Sequence, residues 1–144
     1  MDTNEHERRC APTRKATKPE FELCGLIIGC FYAVYRELGW GFLESVCRRS
    51  LRIELESRGI RCESEVLMPA LYKDMHVGDF RIDLLVEQQV VVELKAVREI
   101  AREHRAQTLN YLRLSHRPVA LLLNFGPKPQ FERLVGPAAK NDSC

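Results

Sequence analysis

The chain has 144 residues, 22 Lys+Arg against 20 Asp+Glu, and 45% hydrophobic residues, which is one domain's worth of chain with a single core. That balance excludes an intrinsically disordered protein, a collagen-like fibre and a disulfide miniprotein. A formal net charge of +2 is too small to argue for nucleic acid by itself.

Residues 1–19 hold five basic and three acidic side chains, Pro12 and Pro19, and no apolar periodicity. They read as a disordered polar tail with no secretory h-region. The folded domain is expected over 20–136, with a second tail at 137–144. The longest apolar stretch, Leu26 to Val34, is too short to span a bilayer. Phe21, Cys24, Ile28, Phe31, Tyr35 and Leu38 recur at steps of three and four, the stripe of an amphipathic helix, widened by Ile27 and Val34. Gly39 ends it. A second helix is expected from Phe42 to Arg58, with Leu43, Cys47, Leu51 and Leu55 on one side and Gly59 as its stop.

The pattern then changes to period two. Residues 61–73 read as a strand, with Pro69 marking an edge or a bulge. Lys73 to His76 is a turn. Residues 77–87 and 90–96 read as two further strands, joined by the short link Glu87-Gln88-Gln89. A third helix is expected from Glu99 to Ser115. Pro118 opens the apolar run VALLLNF, which fits a fully buried strand, and Phe131 to Val135 adds a short edge strand. The order α-α-β-β-β-α-β-(β) predicts an α/β fold, a mixed β-sheet flanked by helices.

Six cysteines (Cys10, Cys24, Cys30, Cys47, Cys62, Cys144) show no C-x-x-C and no zinc-finger spacing. Reduced thiols in a cytoplasmic protein are expected, with Cys24, Cys30 and Cys47 packing as small hydrophobes.

The chemistry concentrates between Arg81 and Lys95. Alternation puts Phe80, Ile82, Leu84 and Val86 on one face of their strand and Arg81, Asp83 and Leu85 on the other. A hairpin centred on Gln88 sets Asp83 opposite Glu93, with Lys95 two residues on. Directly paired side chains share a face, and two acids so placed are unfavourable unless neutralised. A divalent cation such as Mg²⁺ or Mn²⁺ does this, because it takes hard oxygen ligands. The plain alternative is an exposed ion-pair ladder. The apolar neighbours on both faces argue against it.

Glu44 lies in the first turn of the second helix, where a carboxylate also complements the helix dipole. Gln107 and Tyr111 are four apart on the third helix and share one side. Arg98, Arg102, Arg105 and Arg113 lie on another side, read either as a solvated surface paired with Glu99 and Glu103 or as phosphate contacts.

Asp83…Glu93-Leu94-Lys95 resembles the signature of the PD-(D/E)XK nucleases, and Gln107-x-x-x-Tyr111 resembles the helix motif of their RecB-like branch. The stretches YRELGWGFLESVC, LESRGI, GDFRIDLLVE, VVVELKAV, AQTLNYLRL and LLLNFG are similar to the small GxxExxY family, from about Phe21 to Val135. Cys47 stands in the tyrosine position of that motif, on the apolar side of its helix, and Ile82 stands where the proline of the signature would be. The resemblance implies a restriction-endonuclease-like fold and metal-assisted hydrolysis of phosphodiester bonds. It implies that Asp83 and Glu93 ligate Mg²⁺ or Mn²⁺ with the backbone carbonyl of Leu94, and that Glu44 approaches as an outer ligand. Lys95 would then position or activate water, and Gln107 and Tyr111 would buttress the site or contact phosphate. The expected partner is nucleic acid, DNA before RNA, with no membrane and a possible homodimer through the apolar first helix. The alternative is a nuclease-fold module that binds nucleic acid or a protein without cutting.

Overall fold

The computed structural model describes residues 18–136. The two expected tails, apart from the first turn of the first helix, and Cys10 and Cys144 lie outside the described residues. Helices α1 (Lys18–Leu38) and α2 (Glu44–Ser57) precede strands β1 (Cys62–Tyr72), β2 (Met75–Val86) and β3 (Val90–Lys95). Helix α3 (Arg102–Ser115) and strands β4 (Val119–Phe125) and β5 (Pro129–Val135) follow. The strands form one sheet in the order β1-β2-β3-β4-β5. Only β3 and β4 are parallel, and α3 supplies the crossover that such a pair requires.

Helix α1 starts at Lys18, inside the stretch read as polar tail, because a proline in a helix's first turn has no N–H to leave unpaired. Its deepest apolar residues are Cys24, Ile27, Cys30, Phe31 and Val34. The buried stripe is therefore rotated from the one expected, with Ile28, Tyr35 and Leu38 at its margin. Gly39 ends the helix at φ +74°, its N–H donating to the Tyr35 carbonyl at 2.8 Å. Phe31 meets Phe125 edge-on, centroids 4.9 Å apart, which seats α1 on β4. The second helix buries Cys47, Leu51 and Leu55 as expected, whereas Leu43, expected on the same side, precedes the first turn as its N-cap and is exposed.

Strand β4 is buried along its whole length. Strand β1 lies at the sheet edge, where proline is tolerated, and the β1/β2 register slips just beyond Pro69, between Ala70 and Leu71. The β2–β3 hairpin has the register centred on Gln88: Val86 faces Val90, Leu85 faces Val91 and Leu84 faces Val92. Glu87 and Gln88 both have positive φ (52° and 58°), a conformation more often left to Asn or Gly. Arg117 holds this turn, donating to the Gln88 carbonyl at 2.9 Å and to its side-chain oxygen at 3.1 Å.

One expectation is corrected. Leu84 and Val86 join the large core beneath α1 and α2. Phe80 and Ile82 join the smaller core beneath α3, with Leu85, Val91 and Leu112. The strand therefore changes face at Asp83. Strand β1 changes face at the same level, since Cys62 packs in the large core while Val66 and Met68 pack in the small one. Between them Glu65 adopts φ 55°, and neither Glu65 nor Asp83 has a Cα partner in the β1/β2 ladder. A left-handed residue in a strand re-aims the side chains that follow it.

Candidate active site

Because β2 changes face at Asp83, its regular pairing with β3 ends one residue earlier, at Leu84 and Val92. The two acids take over the missing rung. The Asp83 N–H donates to Glu93 Oε2 at 3.2 Å, and the Leu94 N–H donates to Asp83 Oδ2 at 2.9 Å. Glu93 is only 4% exposed. Burial first, and then the neighbouring Asp83 carboxylate, push its pKa up to about 9, while Lys95 pulls the other way. In the metal-free protein at neutral pH, Glu93 therefore holds a proton.

Lys95 ends β3 and aims at α3, where its Nζ lies 3.4 Å from Gln107 Oε1. Gln107 Nε2 in turn donates to the Tyr111 hydroxyl at 3.1 Å. The Tyr111 ring stacks on Phe80 with centroids 4.8 Å apart, so the face change in β2 is what presents Phe80 to it. Burial, Glu93 and Asp83, in that order, raise the Tyr111 pKa. The start of α3 is fixed by His104, whose Nδ1 accepts the Ala101 N–H at 2.8 Å. Thr108 and Leu112 are fully buried beneath it.

Asp83, Glu93, Lys95, Glu44, Gln107 and Tyr111 line one cleft of about 360 Å³. Glu44 reaches it from the exposed first turn of α2. The Leu94 side chain points into the large core, so this residue offers the site its backbone alone. Arg81, Asp79 and Leu67 line the cleft too. Arg81 was legible as a neighbour of Asp83 from strand alternation, although no role attached to it.

Among the described residues no three or more His, Cys, Asp or Glu side chains are gathered as a metal-binding group. The donor chemistry of the pair nevertheless fits a hard cation. Two carboxylates share a buried place in which one stays protonated until positive charge arrives, and backbone, water and phosphate oxygens complete such a shell.

Sequence reasoning missed Asn124 and Gly126. Asn124, fully buried in β4, accepts the Val97 N–H at 2.9 Å and donates to the Val97 carbonyl at 2.9 Å. It clamps the chain two residues past Lys95. A Cβ on Gly126 would lie 1.9 Å from the Val97 oxygen. The available signal was one polar residue inside the apolar run of β4. The arginines of α3 do not act as a block. Arg105 makes a two-point pair with Glu132 of β5, at 2.7 and 2.7 Å. Cys24, Cys30, Cys47 and Cys62 are buried and unpaired, and burial raises the Cys47 thiol pKa.

A family model of the PD-(D/E)XK nuclease superfamily matches residues 21–134. The chain belongs to that superfamily. Among solved structures, that of SSO0001 aligns with a TM-score of 0.53 at 19% identity, covering 67% of this chain and 52% of that one. This chain thus spans about half the length of SSO0001. The likeness is one of fold, and with the family match it makes the mixed sheet a restriction-endonuclease-like one. Comparison with curated proteins gives no match. No described helix is long and apolar enough to cross a membrane.

Proposed function

We propose that this superfamily member is a divalent-metal-dependent nuclease that hydrolyses phosphodiester bonds of nucleic acid, with DNA the first substrate to test. Within the superfamily Gly41 and Glu44 support the GxxExxY family, with Cys47 departing from its tyrosine, and Gln107 with Tyr111 supports the RecB-like branch. The observation that carries the reading is the Asp83–Glu93 pair, half inside the protein, with the Lys95 ammonium at the end of the same strand.

Asp83 and Glu93 would hold Mg²⁺ or Mn²⁺, with the Leu94 carbonyl as a third oxygen and Glu44 as an outer ligand. A cation held there supplies the Lewis acidity that phosphodiester hydrolysis draws on. Lys95 orients the attacking water and offers positive charge to the oxyanion that develops on phosphorus. Gln107 keeps Lys95 in place, and the Tyr111 hydroxyl faces a phosphate oxygen. Arg81 neutralises a neighbouring phosphate. Water adds to phosphorus, and the departing sugar oxygen leaves with a proton.

The test is incubation with single-stranded and duplex DNA and RNA in Mg²⁺, in Mn²⁺ and in chelator. Cleavage is expected only with metal, and neither Asp83→Ala nor the isosteric Asp83→Asn should cut while both melt cooperatively. Cleavage that survives in both variants refutes the assignment. A second reading, binding without cutting, is favoured by the lack of a third gathered acid among the described residues. It predicts salt-dependent binding that chelation leaves unchanged.

A further inference from the structure

The α1–α2 connection and the segment after β3 form the walls of a second groove, of about 310 Å³, which the proposed chemistry does not use. On one wall stand Trp40, 59% exposed, and Phe42, 44% exposed. On the other stands Arg98, exposed and without a hydrogen bond or ion pair among the described residues. No acidic side chain lines the groove. Its floor is held firmly. Asn124 clamps both polar groups of Val97, and the Tyr35 hydroxyl donates to the carbonyls of Gly126 and Pro127 at 2.5 and 3.0 Å.

Both walls run into the catalytic cleft. Phe42 is two residues from Glu44, and Ala96 adjoins Lys95. Two larger clefts are lined by groups already engaged. In one, Glu87 accepts the Arg61 N–H, and in the other Arg105 is paired to Glu132.

Exposed aromatic faces beside a free guanidinium, on a rigid floor, are how proteins take single-stranded nucleic acid. A duplex keeps its base faces stacked on one another and has none to offer. We infer that the groove holds an unpaired nucleobase of the strand to be cut, stacked on Trp40 and Phe42, with Arg98 on the adjoining phosphate. The preferred substrate is then a single strand, a flap or a frayed end. This inference rests on the nuclease reading, which it deepens by naming the substrate class.

Trp40 is the chain's one tryptophan, so its fluorescence reports the groove directly. The experiment titrates oligodeoxyuridylate, oligouridylate and a blunt DNA duplex of equal length into the full chain, in chelator so that nothing is cut. Saturable quenching by a single strand, with the duplex at least tenfold weaker, upholds the site, and the tighter strand identifies the sugar. Arg98→Ala should weaken the quenching, and by anisotropy of labelled oligonucleotide Trp40→Ala should bind about tenfold more weakly or worse. Trp40→Phe should recover most of that loss, which a merely structural role would not predict. Quenching by the duplex with equal affinity, or by none of the three, overturns the inference. Metal-dependent cutting without quenching removes the groove and leaves the nuclease reading. Quenching without cutting in Mg²⁺ or Mn²⁺ does the reverse.

Discussion

Asp83 and Glu93 replace one rung of their own hairpin: each carboxylate accepts a backbone N–H from the opposite strand, at 2.9 and 3.2 Å. The sheet gives up a pair of main-chain bonds at this level. In exchange the two acids are held in place before any cation arrives, with one of them protonated.

That proton gives stability a pH dependence. Glu93 titrates near 9 in the folded protein against an ordinary 4.5. Between those values the folded state keeps a proton that the unfolded chain has lost. Stability from this group is therefore complete below about pH 4.5, falls as pH rises, and levels off above about 9. Glu93→Gln, which mimics the protonated acid, should flatten this slope. Thermal melts in chelator across that range check it, and a Tm difference that stays constant with pH would contradict the assignment.

Cation binding should be linked to the same proton. Mn²⁺ affinity should rise with pH until Glu93 is ionised, near 9. Below that pH each bound ion should release about one proton. Calorimetry in two buffers of different ionisation enthalpy measures the release. Asp83→Ala should abolish the binding, and heats that do not depend on the buffer would show that Glu93 is not displaced.

Lys95 and Gln107 should separate in kinetics. On the proposed mechanism Lys95→Met removes the charge beside the attacking water and should lower kcat by roughly 10²–10³-fold, the range for losing one group that stabilises a developing oxyanion. Gln107→Ala frees Lys95 from its 3.4 Å partner and the Tyr111 hydroxyl from its 3.1 Å donor, and should lower kcat by about tenfold. Neither should shift the melting temperature much. A change confined to KM in both variants would move these residues from chemistry to substrate binding.

Asn124 and Gly126 should act through the backbone. Asn124→Ala leaves both polar groups of Val97 without their side-chain partner and should cost about 2–4 kcal/mol. Gly126→Ala forces a Cβ against the Val97 carbonyl, which is main chain and yields poorly, and should cost about 1–3 kcal/mol. Urea unfolding measures both. Wild-type stability in either variant would mean that the segment after β3 is looser than these contacts imply.

Much of this was legible in the sequence. The order of the eight elements, the edge position given by Pro69, the hairpin register about Gln88 and the buried run of β4 all follow from local pattern. So does the pairing of Asp83 with Glu93 beside Lys95, whereas Glu44, Gln107 and Tyr111, which line the same cleft, were tied to that pair only by the resemblance. The face change at Asp83 was not legible, because alternation assumes an unbroken pleat. The residue that breaks it in β1, Glu65, has a positive φ with no glycine to announce it. The Val97 clamp was hidden for another reason, since Asn124 lies 27 residues from its partner and only the folded chain joins them.

Beyond Asp83 the β1–β2 ribbon is two strands wide, since β3 pairs with β2 only as far as Leu84. Its tip carries Leu71, Tyr72, Met75 and Val77 in the open. Narrow ribbons of this kind open on their own, whereas β3 is paired along its whole length with the buried strand β4 and opens only with the whole domain. The candidate cleft straddles that boundary: Asp79 and Arg81 ride on the loose half, Glu93 and Lys95 on the tight one. Amide exchange should accordingly divide the site into a fast jaw and a slow jaw, so that the cleft can widen around an incoming strand while the carboxylate pair stays in its place.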